Sequence, residues 1–134
     1  MVLTRNPLHA AAYSGNFEVV RILIEYDSDP ANINARTEGG STPLHWASIG
    51  HNSKDGSVHR LLLENGADIN AQSRGGWTPL HEASYHGALE GVRLLLEHGA
   101  DVEVKEMHGE TALQFAADRG HDKVLKLLRE HGAK

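Results

Sequence analysis

The 134-residue sequence contains no cysteine. Without a thiol the chain can form neither a disulfide nor a cysteine-based zinc site, and it offers no thiolate nucleophile. It has no apolar run long enough to span a membrane, and the stretch MVLTRNPLHAAA lacks the apolar core of a signal peptide. These absences favour an intracellular protein, cytoplasmic or nuclear, without a membrane anchor.

The chain also lacks an excess of positive charge. Its formal net charge is −5 at pH 7, and both halves of the chain are weakly acidic, so no basic face is implied. Binding to a nucleic-acid phosphate backbone has little electrostatic support, and we expect no nucleic-acid partner. The apolar content of 40% is sufficient for the core of one domain, which we place over residues 1–134.

A short motif occurs four times. NPLHAA begins at Asn6, TPLHWA at Thr42, TPLHEA at Thr78 and TALQFA at Thr111, at intervals of 36, 36 and 33 residues. A second, leucine-rich signature follows each one: VVRILIE, VHRLLLENGADIN, GVRLLLEHGADVE and VLKLLREHGA. A period of this length predicts a repeat architecture.

Local chemistry predicts two short helices in each repeat. The first helix begins at a capping side chain, which is Asn6, Thr42, Thr78 or Thr111, and in three repeats a proline follows at the first helical position. The second helix ends at a glycine in three repeats, Gly66, Gly99 and Gly132. A Gly-Gly pair before the next motif suits a tight hairpin turn.

The motif T-P-L-H-x-A, the run L-L-L-E-x-G-A-D and the Asn-Ala near the hairpin resemble those of ankyrin repeat proteins over about residues 4–133. The resemblance implies an all-α repeat solenoid, a stack of helix-turn-helix units with projecting β-hairpin loops. The repeats would span approximately residues 1–36, 37–72, 73–105 and 106–134.

The two ends of the array differ. Asp122 and Arg129 replace apolar residues in the last repeat, as a C-terminal cap requires, and Gln114 in place of histidine is expected to weaken its helix cap. Phe17 and Ile24 stay apolar in the first repeat. The chain is therefore either part of a longer array or has an imperfect N-terminal cap.

The ten histidines of the chain are candidate catalytic or metal-binding residues. His9, His45 and His81 recur every 36 residues, and we expect them to hydrogen-bond the capping residue and a backbone group, bracing repeat against repeat. HEASYH, from His81, does not have the HExxH spacing of zinc proteases. We find no nucleotide-binding loop, calcium loop or nucleophile–base pair. We therefore expect no enzymatic activity, no cofactor and no metal.

The resemblance implies that a protein partner binds the concave surface made by the hairpin tips and first helices. Carried over by position, the tips supply Arg36, Glu38, Ser41, Arg74, Trp77, Met107, His108 and Glu110. The first helices supply Tyr13, Trp46, Glu82, Tyr85, His86, Asp118 and Arg119. Trp77 is expected to be an exposed anchor, since a hairpin tip has no core to fill. Alternatively, Trp46 and Trp77 pack against neighbouring repeats.

The function expected from this surface is that of a monomeric, non-catalytic scaffold that binds another protein. Two other functions remain open. Some ankyrin arrays bind nucleotides or other small ligands between aromatic residues and lysines, although Lys105 is the only lysine near the predicted surface. The chain could also serve as a structural spacer within a larger multidomain protein.

The segment GHNSKDGSVH, residues 50–59, has the composition of an active site, with two histidines and an aspartate. Comparison with the third repeat places three extra residues between the two helices of the second repeat. The abundance of Gly, Asn, Ser and Asp is typical of turns. We therefore predict an enlarged, solvated helix–helix loop.

Asn70 is the one modification site that the resemblance implies. LLENGADIN, residues 62–70, is similar to the sequence that the intracellular asparaginyl hydroxylase favours in ankyrin hairpins. Coexpression with that hydroxylase is expected to add one oxygen atom to the peptide containing Asn70, as measured by mass spectrometry. An unmodified peptide would remove the assignment.

Overall fold

The computed structural model describes residues 7–26, 30–50 and 55–134. In these ranges the chain forms helices and turns, and no β-strand is assigned. The helices follow in pairs: α1 Pro7–Ser14 and α2 Phe17–Tyr26, α3 Pro43–Ile49 and α4 Ser57–Glu64, α5 Pro79–His86 and α6 Leu89–Glu97, α7 Ala112–Asp118 and α8 Asp122–Glu130.

The helices form two layers. The first helices of the pairs, α1, α3, α5 and α7, pack side by side, and the second helices, α2, α4, α6 and α8, pack in the same order behind them. One apolar core runs through both layers from Leu8 to Ala133. Because each pair is too small to bury its own apolar surface, its neighbours complete the core. The predicted all-α repeat solenoid is confirmed.

The predicted helix caps form at Thr42, Thr78 and Thr111. In each case the threonine Oγ1 accepts the backbone N–H of the third helical residue, and that residue's side chain accepts the threonine N–H. At Thr111 the return bond is to Gln114 Oε1, at 2.8 Å. Gln114 therefore completes the same capping box as histidine, and the expectation that this cap is weaker stays a prediction. Asn6 lies outside the described residues.

Hairpin turns connect successive helix pairs without regular strands in the described residues. Each turn closes by a backbone bond, from Thr37 N–H to Ser41 O, from Ser73 N–H to Trp77 O and from Glu106 N–H to Glu110 O. Backbone bonds of 2.9 Å also join each turn to the next, from Arg74 N–H to Gly39 O and from Met107 N–H to Gly75 O. The hairpins therefore stack in register with the helices.

The extra residues of the first repeat and those of the second repeat lead to different local structures. In the first repeat, Pro30–Asn34 form a 3₁₀ helix that places Ile33 in the core. In the second repeat the predicted solvated loop is only partly correct, because α4 begins at Ser57 and buries both Val58 and His59. Residues 51–54 of that segment lie outside the described residues. His59 occupies the register position that Val20 and Val92 occupy in other second helices.

Burial of His59 depends on a glycine in the next repeat. The ring is 1% exposed, and its Nε2 lies 3.1 Å from Ser48 Oγ. A Cβ at Gly91, inside α6, would lie 3.0 Å from His59 Nε2 and 3.1 Å from Cε1. Glycine in a helix interior is about 1 kcal/mol less favourable than alanine, so Gly91 sacrifices helix stability to make room for the His59 ring.

This packing predicts strong coupling between the two positions. Gly91→Ala alone should fail to stabilise the protein, because the new methyl group crowds the His59 ring. In a His59→Val background the same change should stabilise it by about 1 kcal/mol, since the methyl group fills the space left by the ring. Urea unfolding of the four proteins measures the coupling. Additive effects would show that His59 and Gly91 do not constrain each other.

Candidate functional site

The three recurring histidines link each repeat to the next. The Nδ1 atoms of His45 and His81 accept the N–H of their capping threonines, at 3.0 and 3.1 Å. Their Nε2 atoms therefore carry the proton and donate it to Trp77 O at 2.8 Å and to Glu110 O at 3.0 Å. His9 Nε2 lies 2.7 Å from Ala35 O in the same way. These rings are structural, as expected from their spacing.

Burial keeps the rings of His45, His59 and His81 neutral. It lowers the pKa of His45 to about 4, although the hydrogen bond to Trp77 acts in the opposite direction. Burial also lowers the pKa of His59 to about 4 and lowers the pKa of His81. A neutral ring is required at His45 and His81, because a protonated Nδ1 could not accept the threonine N–H.

The predicted partner-binding residues lie on the first helices and hairpin turns, a surface that we call the first-helix face. Eight of them are exposed: Tyr13, Arg36, Glu38, Arg74, Met107, His108, Asp118 and Arg119. Seven are half-buried: Ser41, Trp46, Trp77, Glu82, Tyr85, His86 and Glu110. The face therefore contains both accessible side chains and side chains that also stabilise the stack.

Trp77 is not the exposed anchor that the sequence suggested. Its ring centroid lies 4.5 Å from that of Phe115 and 5.4 Å from that of Tyr85, and the residue is half-buried. The turn residues proper are Arg74 and Gly75, and Trp77 follows them at the base of the hairpin, directly before the Thr78 cap. Trp77 therefore packs against the neighbouring repeat, which is the alternative position that the sequence left open.

Tyr13 and Met107 are the large apolar side chains that this face exposes most. Tyr13 is 43% exposed and Met107 is 71% exposed. The Tyr13 ring meets Trp46 edge to face, with centroids 5.7 Å apart. Trp46 itself is half-buried between α1 and α5. An accessible aromatic pair is thus present near α1, and an accessible thioether lies at the third hairpin turn.

Two of the hairpin residues are engaged in structural contacts. Arg36 Nη1 donates to Gly40 O at 3.0 Å and to Gln72 O at 2.7 Å, which ties the first hairpin to the second. Glu106, which sequence reasoning missed, is 6% exposed and accepts the backbone N–H groups of His108 and Glu110 at 2.7 and 3.0 Å. The sequence could have identified Glu106 by its position, because Thr37 occupies the equivalent position in the first hairpin. There the Thr37 Oγ1 accepts the Ser41 N–H.

The centre of the first-helix face carries mixed charge. The guanidinium of Arg119 lies 4.5 Å above the centroid of the Tyr85 ring. Glu82, one helical turn before His86, has its carboxylate 3.8 Å from His86 Nε2. Burial raises the pKa of Glu82 to about 7. The face therefore presents a cation on the Tyr85 ring and, one helical turn before that tyrosine, a partly desolvated acid.

A second apolar surface lies on α2 and was not foreseen. Val19, Ile22 and Tyr26 are 40%, 42% and 85% exposed, and their spacing places them on one side of the helix. The number of apolar residues in VVRILIEY, more than one side of a short helix can bury, is the signal that could have identified it.

Asn70 takes part in a ladder between the bases of successive hairpins. Its Oδ1 accepts the backbone N–H of Asp101 at 3.0 Å, as Asn34 Oδ1 accepts that of Asp68 at 2.7 Å. Asn70 is exposed. Its hydroxylation remains a prediction.

The family model for ankyrin repeats, which holds three copies of the repeat, matches residues 3–73 and 52–134. The two matches overlap and together reach from near the first residue to the last. Across the described ranges, no helix has the length and apolar character needed to cross a membrane. The same ranges hold no group of three or more His, Asp or Glu residues arranged to bind a metal ion.

The lowered histidine pKa values predict acid sensitivity. His45 and His59 bind protons near pH 6.5 when unfolded but only near pH 4 when folded, so the free energy of unfolding should fall as the pH drops from 6.5 to 4. Glu82 has the opposite effect. Because burial raises its folded pKa to about 7, its contribution to the free energy of unfolding increases as the pH drops from 7 to 4.5. His59→Val removes the proton uptake that His59 contributes on unfolding. Its stability relative to the parent should rise by about 2 kcal/mol between pH 7 and pH 5.

Chemical unfolding of both proteins at several pH values measures this difference. An equal pH dependence in the two proteins would contradict the neutral, buried state of His59.

Proposed function

Because the chain belongs to the ankyrin repeat family, we propose that it is a non-catalytic scaffold module that binds a protein partner through the first-helix face. Ankyrin repeats are generally protein–protein interaction modules, and domains of this kind are typically non-catalytic. The hairpin turns stand beside the first helices in a continuous row, joined by the backbone bonds at Arg74 and Met107. Such a row offers a partner one extended surface rather than separate patches.

The observation that carries this proposal is the exposure of Tyr13 and Met107 on that surface. Large apolar side chains gain little from solvent exposure, and aromatic residues, Met and Arg are enriched at the centres of protein interfaces. Trp46 supports the Tyr13 ring from the side, which limits the side-chain entropy that Tyr13 would lose on binding. Tyr13 is thus a pre-oriented contact residue.

The half-buried aromatic residues have a different role in this proposal. Trp77 and Phe115 hold α5 and α7 together, so they shape the face more than they touch a partner. Tyr85 belongs both to the residues that shape the face and to those that a partner can contact. Its ring packs on Trp77 and also lies under the Arg119 guanidinium. Replacing Trp77 would therefore report mainly on stability.

A small-ligand sensor is the weaker candidate. Nucleotide binding needs cationic groups that face the phosphates. The Nη1 of Arg36 already donates to two backbone carbonyls, and the Arg119 guanidinium lies on the Tyr85 ring. Lys105 is exposed at the third hairpin, two residues before Met107, and it is a lone ammonium there. A spacer function needs no exposed Tyr13 or Met107 at all.

The proposal is tested with binding peptides selected from a displayed random library. Peptides selected on the wild-type protein should lose at least about tenfold in affinity for the Tyr13→Ser/Met107→Ser variant, because two accessible apolar contacts are removed. Isothermal titration measures the affinity. The thermal midpoint should stay nearly unchanged, since both side chains are exposed.

The matched control is Ile22→Ser/Tyr26→Ser, which removes two exposed apolar side chains from α2 instead. Peptides that bind the first-helix face should bind this control normally. Selected peptides that ignore the first pair and depend on the second would assign binding to α2 and refute the proposal. A library that yields no peptide dependent on Tyr13 and Met107 would refute it as well.

A further inference from the structure

The carboxylate of Glu82 lies at a position where the fold does not require a charge. The equivalent residue, directly after the capping-box residue, is Ala10 in the first repeat, Trp46 in the second and Phe115 in the fourth. The first helices α1, α3, α5 and α7 stack in the same way whether this residue is small, aromatic or acidic. The packing of the solenoid therefore does not explain the acid at Glu82.

The surroundings of Glu82 leave its charge poorly compensated. Its side chain is 13% exposed, and its one ion-pair contact within the described residues is to His86 Nε2 at 3.8 Å, which is beyond hydrogen-bond distance and carries a charge only when the ring is protonated. In residues 7–26, 30–50 and 55–134 no group forms a hydrogen bond to this carboxylate. Burial of a carboxylate that accepts no hydrogen bond is costly. A ligand that brings a hydrogen-bonding cation to Glu82 would recover that cost.

Aromatic residues flank Glu82 on the same face. Tyr85 follows one helical turn later in α5, and its ring already holds the Arg119 guanidinium at 4.5 Å. Trp46 occupies the same register position one repeat earlier, on the adjacent helix α3. A long basic side chain has an apolar stem that packs on aromatic rings and a charged head that pairs with a carboxylate. The carboxylate of Glu82 therefore matches the charged head of such a side chain, and the neighbouring aromatic rings match its apolar stem.

We propose that Glu82 binds an arginine or lysine side chain of the protein partner and thereby selects partners that carry a basic anchor residue. This inference rests on the proposed function, because it names the chemistry of the partner that the first-helix face accepts. An apolar anchor would leave the carboxylate buried without a hydrogen bond, and an acidic anchor would be repelled by it. The formal net charge of −5 also favours a basic partner.

The test uses peptides selected from the displayed random library on the wild-type protein and, separately, on Glu82→Gln, which keeps the shape of the side chain without its charge. Wild-type selection should enrich arginine or lysine at one peptide position, and selection on Glu82→Gln should not. Replacing the enriched arginine by neutral citrulline should weaken binding to the wild type by at least about tenfold. The same replacement should change binding to Glu82→Gln by less than about threefold.

Glu97→Gln is the matched control, since Glu97 is an exposed acid on α6. Its affinities for the arginine peptide and for the citrulline peptide should equal those of the wild type. Glu82→Gln should fold with an equal or higher thermal midpoint at pH 8, because it removes a buried charge, and this separates lost recognition from lost structure.

Three results would overturn the inference. They are selected peptides without an enriched basic residue, equal citrulline effects on the wild type and Glu82→Gln, or equal effects of Glu82→Gln and Glu97→Gln. If such peptides still lose affinity for Tyr13→Ser/Met107→Ser, only the role of Glu82 is wrong. If no selected peptide depends on Tyr13 and Met107, the proposed function fails and this inference fails with it.

Discussion

The hydrogen bond from a capping histidine to the backbone of the next repeat is the interaction on which the structure depends. His45 illustrates it: one ring nitrogen completes the cap of α3, and the other donates to Trp77 O in the following hairpin. The bond fixes where the hairpin meets the helix, and the hairpin in turn places the next cap at Thr78. Local helix formation and long-range stacking are therefore decided by the same buried, neutral ring, which explains why the fold needs no regular sheet to align its repeats.

The first-helix face follows from this constraint. Because the caps set the spacing of the first helices, residues at equal register positions come to lie beside each other along α1, α3, α5 and α7. Side chains at these positions are free to vary only where they do not fill the interface between helices. Phe115 is 7% exposed and belongs to that interface, whereas Tyr13 is accessible. The partner recognition that we propose is thus concentrated in side chains that stacking leaves accessible, such as Tyr13 and Met107.

The helix pairs, the threonine caps and the role of His45 and His81 could be predicted from the sequence, because each depends on residues within one or two repeats whose spacing is visible. The burial of Trp77 could not, since Phe115 approaches it only through the stacking of α5 on α7. His59 was mistaken for a loop residue because its neighbours have the composition of a turn. Alignment from the Leu-Leu-Leu-Glu end of the repeat places it correctly beside Val20 and Val92. The residues proposed for partner binding depend on a molecule that the sequence does not describe.

The contact between His59 and Gly91 bears on how this protein can be altered. In an ideal solenoid each unit would be exchangeable, since every interface would be the same. Here the third unit carries a recess, at Gly91, that matches a protrusion of the second, at His59. Transplanting the third unit behind a neighbour with valine at that position would leave a void, and moving the second unit in front of an alanine would produce a clash. The order of the units is therefore encoded in their contact surfaces as well as in their covalent sequence.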